Sequence, residues 1–222
     1  MFKDKIIETA KKVKLVETAQ KVKIIETGKR LYDRHLACGT SGNISLKTED
    51  GILITASGTA LGGLTLEGIV LIDDAGNELS TGRASSEKML HVEIYKKRPD
   101  VNAIIHVHSP YLTSFAACHL PLKNPIMSEN ILFFEDIPVA EYAMPSSMEL
   151  VNNTVKYFEN RDVVLMANHG VVICADTMEN AFLKAESAEH YAQVELNTKL
   201  LGGAKLLSEK DVQDLLNLKN NS

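Results

Sequence analysis

Short apolar runs separated by turn signals set the pattern of this chain, and their spacing predicts most of its elements. Ile52-Leu53-Ile54-Thr55, Ile69-Val70-Leu71-Ile72, Val163-Val164-Leu165-Met166 and Val171-Val172-Ile173-Cys174 are rich in β-branched residues and read as buried strands. A further apolar run, Val101 to Val107, follows the turn signal Arg98-Pro99-Asp100 and reads the same way. The turn Asp73-Asp74-Ala75-Gly76-Asn77 predicts a hairpin leading to Glu78-Leu79. Helical spacing fits a segment starting near Ala84, with Ser85 or Ser86 as N-cap, then Tyr111 to Ala117 and Ser146 to Phe158. A long helix capped by Asp176 or Thr177 should end at Gly202-Gly203, and a short one should follow Ser208. Short strands joined by tight turns favour an antiparallel or mixed sheet over a wholly parallel one. Residues 119–145 read as irregular, with the apolar patch Ile131-Leu132-Phe133-Phe134 suited to a subunit interface if exposed.

The N-terminus carries a nine-residue repeat: Ile6–Lys14 is echoed by Leu15–Lys23, and a third copy begins at Ile24. Its composition is helical, but nine residues make about two and a half turns, so successive copies face opposite sides. The third copy reads as the first helix of the main domain. Residues 1–23 read as a duplicated helical extension, and residues 24–222 as one domain.

Composition narrows the function. A net charge of −5 argues against non-specific binding to nucleic acid or to an anionic membrane, and the absence of tryptophan argues against a base-stacking platform. No apolar run reaches the roughly 18 residues of a membrane span, and the lysine-rich start has no signal-peptide core, so the expected location is the cytoplasm. Cys38, Cys118 and Cys174 are far apart and form no Cys-x-x-Cys pair; they read as small core residues in a reducing compartment.

The candidate chemistry begins at His106-Val107-His108, near the end of the strand. Side chains alternate along a strand, so both imidazoles point to one face. Alone, this is either two-thirds of a three-histidine metal site or a pair of hydrogen-bonded histidines. His169, at the bend between two predicted strands, could complete a metal site, and Glu87 lies at a helix start. Glu87 and His91, four apart, read as a helix-surface contact ahead of a metal pair, and Glu186 with His190 as a solvated face. The small-residue loops at Gly39–Ser45, at Ala56–Thr59 and before Glu87 offer backbone N–H groups and hydroxyls to an anion. Three imidazoles with an open coordination position suit a Lewis-acid metal, and a nearby carboxylate suits proton transfer beside a carbonyl. Together these features describe metal-assisted carbon–carbon chemistry on a sugar phosphate.

Gly39-Thr40-Ser41-Gly42-Asn43-Ile44-Ser45, Ile54-Thr55-Ala56-Ser57-Gly58, Ser85-Ser86-Glu87, His106-Val107-His108 and Asn168-His169-Gly170 resemble, in order and spacing, the motifs of the class II aldolase/adducin family, nearest its L-fuculose-phosphate aldolase branch. The resemblance runs from about Ile24 to Leu201. It implies a three-layer α/β/α domain around a mostly antiparallel, mixed sheet, assembled as a homotetramer. It further implies one Zn2+ per subunit held by His106, His108 and His169, with Glu87 as acid/base and as a ligand when substrate is absent. Thr40, Gly42, Asn43, Ser57, Gly58, Ser85 and Ser86 correspond to the family's phosphate site. The implied reaction is reversible cleavage of a ketose 1-phosphate to dihydroxyacetone phosphate and an aldehyde such as lactaldehyde. Sugar-phosphate 4-epimerase and methylthioribulose-phosphate dehydratase chemistry are the alternatives on this scaffold, followed by a non-catalytic module like the adducin head. The sequence departs from the fuculose-phosphate branch at the aldehyde end: Met127 stands where a loop tyrosine is expected, and the last tyrosine is Tyr191.

Overall fold

The computed structural model describes the backbone of residues 2–220 and the side chains of residues 14–218. Seven strands form one mixed sheet: β1 (Asn43–Thr48), β2 (Gly51–Thr55), β3 (Ile69–Ile72), β4 (Ala103–Val107), β5 (Val139–Ala140), β6 (Val163–Met166) and β7 (Gly170–Ala175). Their order is β3-β2-β1-β4-β7-β6-β5. Every pairing is antiparallel except the short β5 beside β6. β4 therefore lies in the middle of the sheet, between β1 and β7.

Both faces of the sheet are covered, giving three layers. On one side lie α1 (Phe2–Asp33), α3 (Pro110–Ala117) and α6 (Met178–Leu200), whose Ile24, Leu31, Leu112, Phe115 and Phe182 pack on Ile44, Ile105, Val107, Val171 and Ile173. On the other lie α2 (Lys88–Lys97) and α5 (Met148–Val155), whose Leu90, Ile94, Leu150 and Val151 pack on Ile54, Ile104, Val164, Val172 and Cys174. Strand alternation assigns the faces, since Ile105 and Val107 point one way and Ile104 and His106 the other. Each fully buried aliphatic side chain contributes about 1.5–3 kcal/mol, so the two interfaces hold the layers firmly. α4 (Ser128–Phe133) and α7 (Glu209–Asn220) pack against each other at the edge.

The observed elements correct several expectations. α1 is one continuous helix through all three repeat copies. The half-turn offset shows in its side chains: Ile24 and Leu31 are fully buried, while Leu15 and Val16 are 71% and 52% exposed. α2 starts at Lys88, later than expected, and neither Ser85 nor Ser86 is its N-cap; Ser85 Oγ instead accepts from the Glu87 amide at 3.3 Å. Thr177 caps α6, accepting from the Asn180 amide. Residues 119–145 contain α4, and half of the apolar patch is core: Ile131 and Phe134 are buried while Phe133 is exposed. Of the cysteines only Cys174 is buried; Cys38 and Cys118 are exposed, because each follows a helix end on the surface.

Candidate active site

Strand register places the first histidine. His106 lies opposite Asn43 on β1 and Val172 on β7, with no exposed surface. Its Nδ1 meets the Val171 carbonyl at 2.9 Å, and a carbonyl only accepts, so Nδ1 carries a proton and Nε2 is the nitrogen turned into the cup. This is the second-partner arrangement that fixes a metal-ligating imidazole. Two residues on, where the strand ends, His108 brings its Nε2 to 3.1 Å from that of His106.

His169 reaches the same point from the β6–β7 bend. Asn168 there has φ 53°, a left-handed corner that asparagine tolerates. Its amide nitrogen donates to the Ala116 carbonyl at the end of α3, and its side chain meets His119 at 2.6 Å. Gly170 follows for a steric reason: a Cβ there would lie 2.6 Å from the Val107 carbonyl and 2.7 Å from the His108 ring. The three imidazole rings form a cup with all centroids 4.9 Å apart and edges turned to faces. Among the described residues, His106, His108 and His169 are the one group of three potential ligands whose atoms all lie within 4.8 Å of one another.

Glu87 closes the cup from the start of α2. Its Oε2 is 3.2 Å from His106 Nε2 and its Oε1 is 3.4 Å from His169 Nε2. Ligands about 2.0–2.1 Å from a tetrahedral ion are separated by about 3.3–3.4 Å, so these spacings fit a shared cation. The Nε2 atoms of His106 and His108 face each other at 3.1 Å, a spacing that a shared proton or a shared cation satisfies. The donor set of imidazoles and one carboxylate suits a borderline divalent metal. Burial pushes the Glu87 pKa up, but His106, His169 and the Asn43 amide outweigh it and hold the carboxyl well below its usual range. Burial, then the neighbouring imidazoles, lowers His108 and His169 to about 4, so both are neutral, ligand-ready bases at physiological pH.

Thr40, Gly42, Asn43, Ser57, Gly58, Ser85 and Ser86 all line one cavity of about 190 Å³, together with Glu87, His108 and His169. His106 forms the cup behind it. Gly42 has φ 86°, and a Cβ there would lie 2.5 Å from the His106 carbonyl, so this loop can pass the metal cup only with glycine. A larger cavity of about 540 Å³ between α1, α4 and α6 contains none of these residues; Met127 lines that one.

Three placements differ from the sequence reading. His91 is neither on a helix surface nor a metal partner of Glu87: it is fully buried and bonds Ser45 and Asn43. The Asn43 side chain uses its oxygen on His91 and an N–H on Glu87, at 2.9 Å. Glu186 is half-buried and pairs with Arg34, whereas His190 is exposed as expected. Pro145 and Ser146, which sequence reasoning did not single out, form a further cavity wall, with Ser146 at φ 65°. His91 and Tyr95 lie four apart on α2 and so share one face of the helix, which here turns toward Ser45 of β1.

Residues 22–196 match the family model described as the class II aldolase and adducin N-terminal domain. The chain belongs to the class II aldolase and adducin family. It is 36% identical over 168 residues to an L-fuculose phosphate aldolase of Methanocaldococcus jannaschii, covering 76% of this chain and 91% of that one. It is 30% identical over 197 residues to a 3-oxo-tetronate 4-phosphate decarboxylase of Haemophilus influenzae, covering 86% and 92%. A solved L-fuculose 1-phosphate aldolase superposes with a TM-score of 0.83 at 32% identity, covering 89% of this chain and 94% of that one. This class II aldolase is thus a lyase on a three-layer scaffold, and its histidine cup is compatible with the divalent metal such enzymes use.

Proposed function

We propose that the protein is a zinc-dependent aldolase that reversibly cleaves a ketose 1-phosphate of the L-fuculose 1-phosphate type to dihydroxyacetone phosphate and an aldehyde such as lactaldehyde. One observation carries the reading: the histidine cup, Glu87 and three donor-rich loops open onto a single cavity of about 190 Å³. His106, His108 and His169 hold the metal, and Glu87 joins them when no substrate is present. When bound, the metal supplies a Lewis acid that polarises the substrate carbonyl and stabilises charge on its oxygen. Hydroxyls and backbone N–H groups of Thr40, Gly42, Asn43, Ser57, Gly58, Ser85 and Ser86 hold the phosphate, and that anchor fixes the reacting carbon beside Glu87. In condensation the ionised Glu87 removes a proton from the hydroxymethyl carbon next to the carbonyl. In cleavage the hydroxyl that becomes the aldehyde gives up its proton as the carbon–carbon bond breaks, and Glu87, once protonated, delivers one proton to the carbon left behind. Assembly as a homotetramer in the cytoplasm belongs to the same proposal.

A second reading draws on the decarboxylase relative. Loss of carbon dioxide from a 3-oxo acid phosphate uses the same polarised carbonyl as electron sink. Incubating the metal-loaded protein with dihydroxyacetone phosphate and a panel of aldehydes, and separately with a 3-oxo acid 4-phosphate, distinguishes them. An aldol adduct that disappears in Glu87→Gln supports the aldolase; carbon dioxide release without any adduct moves the assignment to the decarboxylase.

A further inference from the structure

Behind the cavity a buried chain of polar groups runs from α2 to Glu87, and none of its outer members lines the cavity. Tyr95 OH lies 2.8 Å from Ser45 Oγ, and Ser45 Oγ lies 2.7 Å from His91 Nδ1. His91 Nε2 lies 2.5 Å from Asn43 Oδ1, and Asn43 Nδ2 lies 2.9 Å from Glu87 Oε2. Ser45 and His91 are fully buried and Tyr95 is 2% exposed, so each group must find its partner within the chain.

The polarity of every link follows from the last one. An ionised carboxylate only accepts, so Asn43 turns its NH2 toward Glu87 and its carbonyl oxygen toward His91. That oxygen must receive a hydrogen, so His91 carries its proton on Nε2. Burial, followed by the charge of His106, lowers the His91 pKa to about 3, so the ring is neutral and Nδ1 is a bare acceptor. Ser45 therefore donates to Nδ1, and Tyr95 OH shares its single hydrogen between Ser45 Oγ at 2.8 Å and the Asn102 carbonyl at 3.3 Å. Without the His91 donor Oδ1 loses its partner, only the single bond to Glu87 holds the amide, and the side chain is free to rotate away from the geometry that anchors the carboxylate.

We propose that His91 is a positioning residue: by fixing the Asn43 amide it anchors Glu87 Oε2, leaving Oε1 as the oxygen that exchanges the proton with substrate carbon. Glu87 Oε1 has no hydrogen-bond partner and faces His169 Nε2 at 3.4 Å, on the cup side of the carboxylate. The proposal rests on the aldolase reading for the proton step, and on the buried chain itself for the orientation.

Two measurements test it. Long-range proton–nitrogen spectra of the metal-free parent should show His91 as the neutral Nε2–H tautomer; an Nδ1–H tautomer would reverse the Asn43 amide and overturn the proposal. The second compares His91→Leu with His91→Gln, reading exchange of the hydroxymethyl proton of dihydroxyacetone phosphate into heavy water. His91→Leu should lower the maximal rate about 10- to 100-fold, with zinc stoichiometry and KM unchanged. His91→Gln also loses the Ser45 bond but keeps an N–H for Asn43 Oδ1, so it should recover most of the rate at a similar melting temperature. Equal losses in both variants, or losses that follow KM or melting temperature, mean a merely structural histidine. A parent that exchanges no proton removes the aldolase reading; the tautomer, and the Asn43 orientation in a crystal structure of His91→Leu, then still decide the positioning claim.

Discussion

Gly170 touches more of the candidate metal centre than any side chain could allow. A methyl group there would fall within 2.7 Å of the Val107 carbonyl and the His108 ring and 3.2 Å from the His106 ring. Its backbone is in an ordinary region, so the prohibition comes from neighbours and not from φ. Gly170→Ala should lower metal affinity at least about tenfold by spreading the two strand histidines, measured by competition with a coloured chelator. Unchanged affinity would mean that the cup tolerates displacement. Asn43 makes the opposite point. The resemblance assigned it to phosphate, but its amide is engaged by Glu87 and His91, leaving one N–H of the pair to face substrate.

At the scale of elements, α3 is a strut between two candidate ligands, His108 and His169. It starts immediately after His108, and its last carbonyls hold Asn168 beside His169. Glu189 of α6 secures its other end, accepting from Ser109 Oγ at 2.7 Å, Tyr111 N at 2.8 Å and Leu112 N at 3.0 Å. A buried carboxylate at a helix N-terminus is worth about 1–2 kcal/mol. Glu189→Ala should cost about that much or more in a denaturation curve and should also weaken metal binding, although Glu189 touches no candidate ligand. The strands and helices were legible because their apolar periods are clean: Ile69–Ile72 appears with the same bounds in sequence and structure. The histidine cluster was legible because His106 and His108 share a strand face by period alone. What the sequence could not reveal depends on which face of a helix meets the sheet. His91 is four residues from Glu87 whether α2 turns it to solvent or inward, and only the packing of α2 against β1, at Ser45 and Asn43, decides. The α2 boundary differs from expectation because serines before a helix usually cap it, whereas here Ser85 and Ser86 enter a turn closed by the Lys88 amide on the Ser85 carbonyl and line the cavity.

Across the whole molecule, proton binding opposes the fold. Burial holds His91 at about 3, and His108 and His169 at about 4, against 6.5 for an unburied histidine. The unfolded chain therefore binds more protons below pH 6.5; the stability these groups contribute is complete above that value and is lost as pH falls toward 4. His106, raised by Glu87 against its own burial, runs the other way and is lost as pH rises through its folded pKa. With three groups against one, metal-free protein should lose a few kcal/mol between about pH 6.5 and 4, read as a falling urea midpoint. A flat profile would contradict the buried neutral rings. The N-terminal repeat is a separate matter: Lys14, Thr18 and Lys21 flank a cleft with Leu66, Glu67 and Ser80, whereas Leu15 and Val16 face outward. A chain beginning at Lys23 should keep its metal site and lose only a few degrees of melting temperature, whereas removal through Leu31 should prevent folding. The central claim is that Glu87, beside a metal held by three histidines, moves a proton at carbon on a phosphate-anchored substrate. Incubating zinc-loaded protein with dihydroxyacetone phosphate in heavy water tests it most directly. Stereospecific incorporation of one deuterium at the hydroxymethyl carbon is expected, abolished in Glu87→Gln and in His106→Ala. No incorporation by fully zinc-loaded parent, or incorporation that survives in Glu87→Gln, would contradict it.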